Sequence, residues 1–232
     1  MKLSVVVPVF NEEKTIKKIL EKVLSEKTPK EVIVVDDGSC DKTKEILKDI
    51  KDERVKIIFH EQNKGKGAAV RTGIKNAEGD FLIIQDADLE YDPECYQKLV
   101  NIVSKDIKVV YGTRLKNLKF RLFGKNKTPM PLHFAANRFL TLLTNFLYGS
   151  KITDMETCYK LMAKEVYQSL ELVSDKFEIE PEITAKILKK GFKIIEMPIV
   201  FKPRTYKQGK KIKTKDAFAA VWSLVKYRIV NK

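Results

Sequence analysis

The pattern with the most chemistry in it is Asp86-Ala87-Asp88-Leu89-Glu90, which follows the apolar run Phe81-Leu82-Ile83-Ile84 and Gln85. Side chains alternate along an extended chain, so Asp86, Asp88 and Glu90 share one side and Ala87 leaves room opposite. Such oxygens suit a hard divalent cation, Mg²⁺ or Mn²⁺, held partly by a substrate phosphate. A second carboxylate pair, Asp36-Asp37 before Gly38-Ser39, closes another apolar run, Val32-Ile33-Val34-Val35. If the two strands are neighbours, both pairs converge on one crevice at the carboxyl edge of the sheet, where open α/β sheets bind ligands. A nucleoside diphosphate would fit there, with carboxylates accepting from ribose hydroxyls or base N–H groups and a cation bridging to the pyrophosphate. Asp36-Asp37-Gly38-Ser39 reads equally as a helix-capping turn, and the two roles are compatible.

The elements that must position these residues alternate. Leu3 to Pro8 is an apolar strand, and Val9 to Glu13 starts a helix striped by Ile16, Ile19, Leu20, Val23 and Leu24. Strands at Glu31–Val35, Val55–Phe59 and Phe81–Gln85 are separated by helices at 42–50 and 65–77. Alternation at this spacing predicts a doubly wound, mainly parallel α/β sheet with helices on both faces. Pro93 opens a helix through Val103, and Lys108 to Thr113 is a strand that ends at Arg114. Beyond it the alternation stops. Leu132, Ala135, Phe139, Leu143, Phe146 and Leu147 stripe one face of a helix, with Asn137, Thr141 and Asn145 on the other. Helices near 163–172 and 182–190 precede a strand over 192–201, where Pro198 predicts an edge strand or a bent one. Asp216 to Val230 is an amphipathic helix whose stripe of Phe218, Val221, Trp222, Val225 and Ile229 suits either the domain's own core or a membrane interface.

Charge is distributed unevenly. The chain carries 45 basic and 31 acidic residues, a net charge of +14. Residues 114–127 hold six basic residues and no acid, and residues 202–215 hold seven and no acid. The excess is therefore concentrated in two segments, which implies an anionic partner: nucleic acid, a phosphorylated substrate or an anionic lipid surface. Three scattered cysteines, Cys40, Cys95 and Cys158, fit free thiols in a reducing compartment. No signal-peptide pattern or long apolar run is visible, so a cytoplasmic protein that does not cross a bilayer is expected.

Other chemistries fit poorly. Gly65-Lys66-Gly67 to Gly73 lacks the dinucleotide spacing and the Lys-Ser/Thr ending of a triphosphate loop, and reads as close helix packing beside the nucleotide. His60 and His133 have no nucleophile partner and read as structural. A nucleic-acid-binding module would use the charge but leave the clustered carboxylates unexplained, so no nucleic-acid partner is expected. A sugar nucleotidyltransferase would need a glycine-rich amino-terminal loop that is missing.

Taken together, Pro8-Val9-Phe10-Asn11-Glu12-Glu13, Val34 to Ser39, Asn63 to Gly67, Asp86-Ala87-Asp88 and Gly112-Thr113-Arg114 resemble, in order, the motifs of family 2 glycosyltransferases of the GT-A fold. The resemblance is strongest to the dolichol-phosphate mannose synthase and polyprenyl-phosphate glycosyltransferase branch, which also has counterparts of Asn137-Arg138, Thr153 to Lys160, Arg204 and Gly209-Lys210-Lys211. It implies a GT-A domain over 1–201, with a nucleotide-sugar half at 1–113 and an acceptor half at 114–201, then a basic segment and amphipathic helix over 202–232. It further implies Pro8, Glu12, Asp36, Asp37, Lys66, Asp86 and Arg204 at the nucleotide sugar, and Asp88, Glu90 and Asp86 at the metal. Arg114, Arg138, Arg204 and Lys211 would meet the acceptor phosphate.

The expected reaction is metal-dependent, inverting transfer of a sugar from a GDP-mannose or UDP-glucose type donor to a polyprenyl or dolichyl phosphate. With Lys232 ending the sequence before any membrane helix, such an acceptor would be reached peripherally, at the cytoplasmic face. A phosphate acceptor is mostly dianionic at neutral pH and needs no strong base. A saccharide or other hydroxyl acceptor, the alternative, would need one, and Asp154 is the candidate, although it could equally cap the helix after it.

Overall fold

The computed structural model describes residues 1–116, 131–204 and 214–230. Much of both cationic segments, Lys211 included, lies outside the described residues. Strand β1 (Leu3–Val9) is buried along its whole length and lies third in a seven-stranded sheet. On one side β1 pairs in parallel with β2 (Lys30–Asp36), which pairs in parallel with β3 (Val55–Phe59). On the other side it pairs in parallel with β4 (Phe81–Ile84). Near-continuous burial of Val and Ile on β1, β2 and β4 is the mark of strands covered on both faces.

Four connecting helices follow the expected alternation: α1 (Ile16–Ser25), α2 (Thr43–Lys48), α3 (Lys66–Lys75) and α4 (Tyr96–Val100). The helix expected from Pro93 through Val103 is shorter, because Pro93–Cys95 is a 3₁₀ turn capped by Asp92 and α4 ends at Val100. The sheet then reverses. After β5 (Val109–Thr113) and α5 (Pro131–Tyr148), strand β6 (Lys160–Ala163) inserts antiparallel between β4 and β5. Sequence alone does not mark β6, since Lys160-Leu161-Met162-Ala163 has no polar alternation and all four residues are buried. Helices α6 (Lys164–Ser169) and α7 (Ile179–Lys189) lead to β7 (Ile194–Pro198), which pairs only with β5 and is the sheet edge that Pro198 predicted. Helix α8 (Thr214–Ile229) closes the described chain.

The polarity of α5 runs against the usual expectation. Its polar residues face inward: Asn145 donates to the Ile152 carbonyl at 2.9 Å and accepts from the Ile152 N–H at 3.1 Å, while Thr141 accepts from the Met155 N–H at 3.1 Å. They satisfy backbone groups of the loop between α5 and β6, which burial would otherwise leave unpaired. Leu132 and Phe146 consequently stand in solvent, 71% and 85% exposed.

Candidate active site

Strands β2 and β4 are not neighbours, because β1 runs between them. Their carboxylates still reach one cleft, across the carboxyl end of β1. The cleft has a volume of about 530 Å³, and its walls include Pro8, Glu12, Asp37, Lys66, Asp86, Asp88, Glu90 and Arg204. Gly65 and Gly67 let α3 approach closely. A side chain at either would meet the carbonyl oxygen of Asp175 or Ser174 at 2.3 Å, so the glycines allow the packing expected of them.

Two cations organise the carboxylates. The Lys66 ammonium bridges Asp86 Oδ1 at 2.8 Å and Glu180 Oε1 at 2.9 Å. Burial lowers the Lys66 pKa, but the charges of Asp86 and Glu180 outweigh it and hold the ammonium well above its ordinary value. Burial likewise opposes ionisation of Asp86, and Lys66 reverses this, keeping its pKa low. The Arg204 guanidinium spans Asp88 Oδ2 at 2.5 Å and Glu12 Oε2 at 3.1 Å, while its backbone N–H donates to Glu90 Oε1 at 2.5 Å. Asp88 is pushed up to about 7 by burial and by the charges of Asp86 and Glu90, against the pull of Arg204. With Lys66 and Arg204 so placed, the described residues contain no group of three or more His, Cys, Asp or Glu side chains that could hold a metal ion, unlike the Asp86, Asp88 and Glu90 set expected from sequence.

The two aspartates after β2 divide their work. Asp37 accepts from the Lys64 and Gly65 N–H groups at 3.0 and 2.7 Å and lies 2.7 Å from His60 Nδ1. It fixes the turn that delivers Asn63 and α3 to the cleft, with His60 in the structural role expected. Asp36 is 1% exposed and lies outside the cleft wall, and its Oδ1 has no hydrogen-bond donor. Such an orphaned acceptor is rare in folded proteins.

Arg114 and Asp154 do not reach the cleft. They form a buried pair behind it: Nε and the backbone N–H of Arg114 donate to Asp154 Oδ2 at 2.7 and 2.9 Å, and Nη2 donates to Oδ1 at 2.7 Å. Asn137 Nδ2 donates to the same carboxylate at 2.9 Å. Burial disfavours the charge on Asp154, but Arg114 and Asn137 hold its pKa below the ordinary value. A base for a hydroxyl acceptor needs a pKa near the working pH and access to its proton, so this geometry does not suit Asp154 to that role. A phosphate role for Arg114 would leave Asp154 buried without its partner. Arg138 is exposed on α5, outside the cleft wall.

Glu180 was not marked by sequence. It sits at the start of α7, accepts from Lys160 and contacts Lys66, so one buried chain runs from Lys160 through Glu180 and Lys66 to Asp86. The signal was present in Glu178-Ile179-Glu180-Pro181-Glu182, acids spaced through an apolar helix start. Lys176 and Phe177, from the turn before α7, also line the cleft and carried no motif.

The chain is similar to known proteins in motif, sequence and fold. The pattern of the family described as Glycosyl transferase family 2 matches residues 4–170. The chain is 29% identical over 99% of its length to a low-salt glycan biosynthesis hexosyltransferase of Haloferax volcanii, and 28% identical over 94% of its length to a dolichol-phosphate mannosyltransferase of Pyrococcus furiosus. It spans 53% and 61% of those relatives. Its fold superposes, with a TM-score of 0.70 and 16% identity over 100% of this chain and 80% of the other, on a Mycobacterium tuberculosis glucosyl-3-phosphoglycerate synthase solved with Mn²⁺, UDP and phosphoglyceric acid. Motif, sequence and fold agree, and the chain belongs to glycosyl transferase family 2.

Proposed function

We propose that the cleft binds a nucleoside diphosphate sugar with a divalent cation, and that the chain transfers the sugar, with inversion, to a polyprenyl phosphate. The observation that carries this reading is the pairing of four acids with two cations, Lys66 and Arg204, in one cleft at the carboxyl edge of the sheet of a family 2 chain. Carboxylates alone would repel a diphosphate. The name of the Pyrococcus relative supports a lipid phosphate as the acceptor.

The residues fit Mg²⁺ or Mn²⁺ held through Asp88 and diphosphate oxygens, since such ions use one or two carboxylates and substrate phosphates. Asp88 is 7% exposed and crowded by Asp86 and Glu90, so added positive charge there is favourable. Bound at Asp88, the cation would act as a Lewis acid on the departing diphosphate. Arg204 would turn from Asp88 and Glu12 to a phosphate oxygen, which a guanidinium grips through two N–H groups. Lys66 would hold Asp86 ionised beside the nucleotide. An acceptor phosphate attacks without a protein base, in keeping with an Asp154 that is already paired.

Calorimetry with UDP and GDP, with and without Mn²⁺, tests the donor site. Binding of either nucleotide that requires Mn²⁺ and is lost in Asp88→Asn supports it. Binding that ignores both the cation and this substitution would overturn it.

A further inference from the structure

Helices α5 and α8 bury one side of each other. Leu140, Leu224 and Tyr227 pack with Met155 and Ala185 in a small separate core, and the Tyr148 hydroxyl donates to the Leu224 carbonyl at 2.7 Å. The opposite sides are apolar too. Phe139, Leu142 and Phe146 fall within about 60° on α5, and Phe218, Trp222 and Ile229 within about 40° on α8, at 100° per residue. Each of the six is exposed, from 58% at Phe139 to 85% at Phe146. The half-buried Leu143, Leu147 and Val221 pack into the same small core. Exposed apolar surface of this kind is unfavourable in water and marks a contact.

Charge selects the partner. Arg138 stands exposed beside Phe139, and Lys226 and Arg228 are exposed in the last turn of α8. In sequence, the cationic stretch 114–127 leads into α5 and the stretch 202–215 leads into α8. Basic residues around an aromatic apolar face match an anionic lipid surface, where the cations meet headgroups and the indole settles at the boundary. A second copy of the chain would bring like charges together, which disfavours self-association through this face. Helix α8 also borders the cleft: Asp216, in its first turn, lines it from the side of the helix turned away from Phe218.

We propose that the exposed apolar sides of α5 and α8 dock on an anionic lipid bilayer. The purpose of this docking rests on the lipid-phosphate reading above, but its test does not. Trp222 is the only tryptophan in the chain, so its emission reports on this face alone. The full chain should show a blue-shifted emission and co-sediment with vesicles in which about one third of the lipid is phosphatidylglycerol. Both signals should be much weaker with phosphatidylcholine alone. Phe146→Glu with Ile229→Glu, both at exposed sites, should lower vesicle binding at least about tenfold while circular dichroism and nucleotide binding stay as in the parent. Sedimentation without a blue shift, or unchanged in the double variant, would reduce the interaction to adsorption by the cationic segments and overturn the proposal. A parent that is dimeric in ultracentrifugation, with a monomeric double variant, would assign the face to a second copy and overturn it as well. Vesicle binding without sugar transfer to a lipid phosphate would sink the acceptor reading and leave the docking face standing.

Discussion

Arg204 Nη2 lies 2.5 Å from Asp88 Oδ2, so a cation already stands where a divalent ion would be recruited. The same guanidinium reaches Glu12, and the backbone N–H of Arg204 holds Glu90. On the proposed reading, arginine and metal would compete for the same carboxylates until a diphosphate gave the arginine another partner.

Arg204→Ala separates the two roles. Without nucleotide, the variant should bind Mn²⁺ several-fold more tightly than the parent, because Asp88, Glu12 and Glu90 lose their counter-charge. With Mn²⁺ present it should bind the nucleoside diphosphate about tenfold more weakly, the magnitude of a lost charge-assisted hydrogen bond. Titration followed by electron paramagnetic resonance gives the first value and calorimetry the second. An unchanged affinity for Mn²⁺ alone would show that Arg204 does not occupy the cation's place.

Asp154 is expected to behave as a structural residue. It is 0% exposed and meets Arg114 through three hydrogen bonds, so Asp154→Ala strands a buried guanidinium and should destabilise the fold by about 3–5 kcal/mol. Thermal denaturation should show a fall of roughly 6 °C or more for a chain of this size. A catalytic base would give the reverse pattern, with an unmoved melting temperature and lost turnover.

Glu156 gives the chain a pH dependence. Its Oε1 is buried without a hydrogen-bond partner, and burial, the largest influence, together with the charges of Glu180 and Asp154 pushes its pKa up to about 7, against Lys160 and Arg114. The folded state thus holds this proton more tightly than the unfolded chain. The associated stability is fully present below the ordinary glutamate range and is lost as pH rises through about 7. Glu156→Gln should therefore gain in stability on the parent between pH 5 and pH 8, by on the order of 2 kcal/mol in denaturant unfolding. A constant difference across that range would count against the assignment.

The amino-terminal half was legible because its strands are largely apolar runs, two of which, β2 and β4, lead directly into carboxylates. Asp86 and Asp88 therefore mark both the strand end and the cleft, while Asp36 marks the strand end alone. Glu12 and Arg204 came from the family resemblance, since no local pattern joins residues 192 positions apart. Strand β6 was hidden by full burial, which erases alternation, and its antiparallel insertion follows from tertiary pairing with β4 and β5. Asp154 and Arg114 showed the right residue types, but burial and mutual pairing, properties of the packed state, decide what they do. The outward apolar face of α5 was likewise invisible, because the stripe carries no sign of which side meets the core.

Sugar transfer tests the account most directly. The full chain would be given radiolabelled UDP-glucose or GDP-mannose with a polyprenyl phosphate, in Mg²⁺, Mn²⁺ or EDTA, and the label followed into the organic phase. The account predicts organic-phase label from one of the donors, abolished by EDTA and by Asp88→Ala with the melting temperature retained. Label confined to water-soluble products, or transfer indifferent to EDTA and to Asp88→Ala, would contradict it.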